Sequence, residues 1–230
     1  MQNLKVKIKN YGFINILKFI IFAFCIISFT FTLGCARTVT SIISYGEQMT
    51  VTVTLNGPAD VNANHYFMVL SSDSNLKTPL PPPDNIDYEM IEPGTTPQRG
   101  SVEAYYTTYY STWSGYIIAD SGGYFLVDGP FIQGQVTTRE PISTVGETSA
   151  TLTYTVRLGQ IFQSGVPDTI YFDVVSVPWP SGGAKLPADH LNSTNAYISK
   201  VSGSTQTVDD TDNAYIDPAA NIIKCTVTIQ

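Results

Sequence analysis

Two groups of side chains have the types and spacing to do chemistry. The first is aromatic: Tyr105, Tyr106, Tyr109, Tyr110, Trp113 and Tyr116. In an extended strand Tyr105 and Tyr109 share one face, and Tyr106 and Tyr110 share the other. Only one face can be core, so one pair is left for solvent or for a covering loop. Flat exposed rings with hydroxyl handles stack on sugars, which makes Tyr105, Tyr106, Tyr109, Tyr110 and Trp113 candidate ligand-binding residues. The competing reading is a strand whose outer tyrosines shield the sheet. The second group is acidic: Asp209, Asp210 and Asp212, with Asp217 beyond. A hard cation such as calcium collects close carboxylates of this kind. The glycine and distal glutamate of a helix-loop-helix calcium site are missing, and a solvated acidic turn reads the same way.

Other catalytic constellations are thin. Histidine occurs twice, as His65 and His190. Zinc needs three or four clustered ligands, and a serine triad needs a base held by a carboxylate. Neither pattern is visible, nor is a nucleophile elbow, a phosphate loop or a dinucleotide fingerprint. Haem ligation through His65, Met68 or Met90 is disfavoured, because His65 and Met68 project from opposite faces of one strand. Asp173, inside an apolar run, either faces water or lines a cleft. A glycosidase carboxylate pair meets only in the folded chain.

The elements that must position these groups are strands. Met49, Val51, Val53 and Leu55 alternate with Thr50, Thr52 and Thr54. Leu152, Tyr154, Val156 and Leu158 alternate with Thr151, Thr153, Thr155 and Arg157, and Ile223 to Ile229 repeats the pattern. Period-two alternation puts one face on a core and one in water. Further β-branched and aromatic runs lie at 65–71, 116–119, 124–127, 169–177 and 196–201, with Ser121-Gly122-Gly123 as a tight hairpin turn. No stretch after residue 36 sustains a helical period. The expected fold is all-β: an antiparallel β-sandwich, immunoglobulin-like or jelly-roll-like, with about eight to ten strands. The proline-rich segment 73–99 cannot be a central strand. It is either a functional loop or a shoulder packed across one end. Cys225 falls on the apolar face of the last strand, as an inert core thiol.

The first 34 residues stand apart. Lys5, Lys7, Lys9 and Lys18 precede an apolar run from Phe19 to Phe29 that extends to Leu33 and ends at Gly34-Cys35. This is the pattern of an export signal. Leu33-Gly34-Cys35 resembles the lipobox of bacterial lipoproteins, with Thr32 in place of its usual leucine. The resemblance implies cleavage before Cys35, lipidation of Cys35, a tether over 35–45 and one domain over 46–230. Cleavage after Ala36 to release a secreted protein, and retention as an uncut anchor, are the alternatives. Loss of the segment removes four lysines and no acids, taking the net charge from −7 to −11. No basic cluster remains to replace the counterions of a phosphate backbone, which excludes nucleic acid as an expected partner. An acidic surface also disfavours anionic lipid, so the membrane link must be the covalent one.

The order of motifs carries a further resemblance. Val53-Thr54-Leu55-Asn56-Gly57-Pro58 precedes His65–Leu70 and Ser71-Ser72-Asp73. The proline-rich loop, the aromatic stretch to Trp113, Gly122–Val127, Leu152–Leu158 and Asp168–Val175 follow in turn. Over residues 45–215 this resembles a group of bacterial exported lipoproteins that are similar to β-sandwiches of the DOMON and carbohydrate-binding-module type. The resemblance implies a sandwich that binds sugars or, in some DOMON domains, haem. The expected function is a membrane-anchored, extracytoplasmic, non-enzymatic module for glycan, cell-envelope material or an envelope protein, with calcium as the one cofactor considered. The alternatives are a glycan hydrolase on the same sandwich and a purely structural surface lipoprotein.

Overall fold

Eleven strands, all paired antiparallel, carry the computed structural model, which describes residues 45–143, 149–191, 196–211 and 213–230. The signal segment and Cys35 lie outside the described residues. Among the described residues no helix is long and apolar enough to cross a membrane.

The strands are β1 (Gln48–Leu55), β2 (Asn64–Ser71), β3 (Gly115–Asp120), β4 (Gly123–Asp128), β5 (Glu140–Ser143), β6 (Thr151–Arg157), β7 (Thr169–Pro178), β8 (Asp189–His190), β9 (Tyr197–Ser199), β10 (Thr205–Asp209) and β11 (Ile222–Ile229). The smaller sheet has the order β10-β11-β1-β6, and the larger runs β5-β4-β3-β2-β7-β8 with β9 also on β7. This is the expected all-β sandwich. The short strands β8 and β9 take the total past the expected range.

The alternating runs face as their period requires. Met49, Val51, Val53 and Leu55 are buried against Leu152, Tyr154, Val156, Cys225, Val227 and Ile229. The inner face of the larger sheet meets them with Tyr66, Met68, Leu70, Ile117, Leu126, Phe172 and Val174. The threonines between them point outward and pair across strands, Thr50 with Thr155 at 2.8 Å and Thr207 with Thr226 at 3.2 Å.

The larger sheet is buried on both faces. Every residue of β3 is buried, as is every residue of β2 from Tyr66 to Ser71. Such strands are continuously apolar rather than alternating, as Phe67-Met68-Val69-Leu70 is. A second apolar layer covers the outer face. It joins Phe67, Val69, Tyr116, Ile118, Val175 and Val177 of the sheet to Met90, Ile91, Tyr105, Tyr109, Tyr110, Trp113 and Phe131. The proline-rich segment is therefore a packed cover for a sheet face rather than a shoulder across one end.

The aromatic segment corrects the strand expectation. Residues Val102–Thr108 form helix α1, and Tyr110–Thr112 continue as a 3-10 turn. Ser101 caps α1, its hydroxyl accepting the Ala104 N–H at 3.2 Å. Gly100 precedes the cap with φ +74°, and a Cβ there would meet the Tyr88 and Tyr105 rings at 3.1 and 3.2 Å. Residues four apart stack on one helix face, and the Tyr106 and Tyr110 ring centres lie 5.0 Å apart, edge to face. One further short helix, α2 (Leu158–Ile161), follows β6.

Candidate functional site

The cover is fastened by buried polar groups. Glu89, 1% exposed, accepts the backbone N–H groups of Gln98, Arg99 and Lys185 at 2.5, 2.9 and 2.7 Å. The Glu89 N–H in turn donates to the Tyr105 hydroxyl, which donates to Arg99 O at 3.1 Å. Arg139 grips Glu92 through two nitrogens and reaches Asp120 at 2.8 Å, while the Tyr116 hydroxyl donates to Glu92 at 2.8 Å. These groups satisfy one another and read as structure.

The flat aromatic platform expected for stacking on a sugar is absent, because the rings are interior. Tyr105, Tyr109, Tyr110 and Trp113 are 1 to 6% exposed. The Tyr110 hydroxyl donates to Ile91 O at 3.0 Å, and the Trp113 indole N–H donates to Lys77 O at 2.7 Å. Tyr106 is half-buried, with its hydroxyl accepting the Gly94 N–H at 3.0 Å. Burial pushes the phenols of Tyr105 and Tyr110 well up. Of the predicted aromatic set, Tyr106 and Trp113 each line a pocket with loop residues, and Tyr109 lines a third, the pocket that also gathers titratable groups.

That pocket lies where the cover meets β7 and β8. It holds about 520 Å³ and is lined by Leu76, Thr78, Asp84, Asn85, Tyr109, Asp173 and His190, among others. The proline-rich segment supplies Thr78, Asp84 and Asn85. Asp173 stands on the outer face of β7, opposite Val69, and so lines a cleft rather than facing water. Its carboxylate accepts the Thr78 hydroxyl and the Val174 N–H, the latter at 2.8 Å. His190 Nδ1 is 4.0 Å from the same carboxylate. Burial raises the Asp173 carboxyl to about 6, against the opposing pull of His190 and the Thr78 hydrogen bond. Asn85 donates to the Tyr109 hydroxyl at 2.7 Å. Behind the pocket wall Asp189, also raised to about 6 by burial, accepts the Ile222 N–H at 2.7 Å.

The pocket is lined by two carboxylates, an imidazole, a lysine, a carboxamide, two threonine hydroxyls and the Tyr109 phenol beside apolar Leu76, Leu80 and Leu191. A pocket of this size and mixture suits a small ligand rich in hydroxyls. With its carboxyl raised to about 6, Asp173 accepts hydrogen bonds as a carboxylate above that pH and donates one below it. Two carboxylates facing one cleft are also the minimum apparatus of glycoside hydrolysis. Asp173 was marked in the sequence by its apolar neighbours. Nothing local marked Thr78 or Asn85.

The remaining candidates lie elsewhere. His65 faces outward from β2, with its ring stacked on Trp179 at 3.9 Å, and burial lowers its pKa to about 4. Lys185 lies over Trp179 at 4.8 Å. Asp209 is on β10 beside Lys224, 3.6 Å away, and the Asp210 side chain accepts the Thr211 N–H at 2.7 Å. Asp212 is outside the described residues. Among the described residues no three His, Cys, Asp or Glu side chains are grouped to hold a metal ion. Cys225 is fully buried, and burial raises its thiol to about 12. No family model, no curated protein and no solved structure matches this chain.

Proposed function

We propose that this protein is an envelope-tethered, extracytoplasmic binding module whose pocket under the proline-rich cover takes a small polyhydroxylated ligand such as a glycan end. The observation that carries the reading is the convergence of Asp173, Thr78, Asn85, Asp84 and His190 on one pocket with an apolar wall. Sugar recognition needs donors and acceptors fixed in place, and sheet and cover both hold theirs. Tyr109 supplies the aromatic contribution.

Titration calorimetry of the chain against glucose, galactose and N-acetylglucosamine oligosaccharides tests it. Binding in the millimolar to micromolar range is expected, and Asp173→Asn should weaken it at least tenfold. No heat with any oligosaccharide would remove the sugar reading. The tether rests on the apolar run and Leu33-Gly34-Cys35. Cys35→Ala should accumulate as precursor and take up no labelled fatty acid, whereas equal labelling would remove it.

The placement of Asp84 and Asp173 in one cleft favours a second reading, a glycan hydrolase. Release of nitrophenol from nitrophenyl glycosides by the wild type, lost in both Asp84→Asn and Asp173→Asn, would put it ahead of the binding module.

A further inference from the structure

The withdrawn carboxylates of this domain are held in different ways. Glu92 and Asp120 share the Arg139 guanidinium, and Glu89 takes three backbone N–H groups. Asp189 accepts two, from Ile222 and His190 at 2.7 and 3.0 Å. Asp173 accepts the Val174 N–H on Oδ1 and the Thr78 hydroxyl on Oδ2. Both of these partners are neutral. Each carboxylate oxygen has two lone pairs, so each keeps one to offer. Asp173 also lines the pocket under the cover, with 17% of its side chain exposed.

Among the described residues no lysine or arginine pairs with Asp173. His190 Nδ1 is 4.0 Å away, past hydrogen-bond reach, and an imidazole is charged only when protonated. Lys77 lines the same pocket without an ion pair to Asp173 or Asp84. Arg99, Arg139, Lys185, Lys200 and Lys224 are engaged elsewhere. A carboxylate taken from water without an opposite charge is unfavourable. The raised Asp173 carboxyl reflects that cost.

An ammonium group supplies what this carboxylate lacks: a positive charge and three N–H donors. Such a charge-assisted bond is about twice as strong as a neutral one. Thr108, Asn85 and Tyr109 line the pocket beside it and suit ring hydroxyls. The Tyr109 hydroxyl accepts from Asn85 and keeps its own proton to donate.

We propose that the pocket selects a cationic sugar: resting on the polyhydroxylated-ligand reading, the glycan end it takes is an amino sugar whose free ammonium sits on Asp173. N-acetylation of that nitrogen removes the charge and two of its three protons, so the acetylated sugar is discriminated against.

Titration calorimetry of the detergent-solubilised full chain tests this with singly charged probes at pH 7. About 0.15 M salt screens the acidic surface. The probes are methyl glucosaminide, methyl N-acetylglucosaminide and cyclohexylamine, a ring amine without hydroxyls. Methyl glucosaminide should bind at least tenfold more tightly than either of the others. In Asp173→Asn the ratio between the two sugars should fall to within about twofold of one. Equal or tighter binding of the acetylated sugar overturns the proposal and leaves the sugar reading standing. No binding of either sugar removes that reading and the proposal with it. Cyclohexylamine binding as tightly as the amino sugar keeps the ammonium on Asp173 and removes the sugar. A preference that survives in Asp173→Asn overturns the assignment to this carboxylate. If that variant binds neither sugar measurably, the ratio in the unsubstituted chain still decides.

Discussion

The Thr78 hydroxyl donates to the Asp173 carboxylate, so a residue of the proline-rich cover is clasped directly to the central region of β7. This is the link between the outer layer and the sheet at the pocket itself. Burial raises the folded Asp173 pKa to about 6 from an ordinary 3.8. A carboxyl raised on folding holds its proton more tightly in the folded state. Its stabilising contribution is therefore full below about pH 4 and is lost as pH rises through 6. Thermal melts should show stability falling from pH 4 to pH 6.5, with a smaller fall in Asp173→Asn. The difference between the two curves should be about 2 kcal/mol. Parallel curves would show that Asp173 does not titrate in this window.

Glu89 should be the most costly single carboxylate to remove. Glu89→Ala leaves three backbone N–H groups without their acceptor in a buried site. The expected loss is about 3 kcal/mol or more by urea denaturation. Glu89→Gln keeps the shape but turns an amide N–H toward backbone N–H groups, and should recover only part of it. A loss below about 1 kcal/mol would mean that the cover does not depend on this carboxylate.

The aromatic cluster should behave as core. Trp113→Ala and Tyr110→Ala remove rings that are 4 and 3% exposed and should each cost about 3–5 kcal/mol. Tyr106→Ala, at a half-buried position, should cost less than either. Variants that keep full stability but lose ligand affinity would return these rings to a binding role.

Cys225 should be silent. A fully buried thiol raised to about 12 is not a nucleophile at neutral pH. A chromogenic disulfide reagent should label it in the native chain no faster than global unfolding exposes it. Rapid labelling at neutral pH without denaturant would show that the end of the sandwich at β11 opens locally.

The sequence by itself determined the sandwich. Alternation in β1, β6 and β11 is a local property, because a strand with one wet face must change polarity at every residue. Those faces turned as read, with Val51, Tyr154 and Cys225 inward and Thr50, Thr153 and Thr226 outward, except at the start of β11, where a register shift opposite Thr54 and Leu55 puts Ile222 in the core and leaves Ile223 half-buried. The Ser121-Gly122-Gly123 turn joined β3 to β4 for the same local reason. The aromatic segment misled because its spacing of four is in phase with both periods: Tyr105 and Tyr109 share a face in a strand and in a helix. Ser101, with Glu103 in the first turn, was the local mark of a helix start. The unbroken apolar runs Phe67–Leu70 and Tyr116–Ala119 held the remaining clue, since a strand without alternation needs cover on both faces. Which segment supplies that cover is a long-range matter. Thr78 is 95 residues from Asp173, and Glu89 is 96 from Lys185. Pairs so distant leave no periodicity in the chain between them, so only the tertiary structure could bring the pocket together.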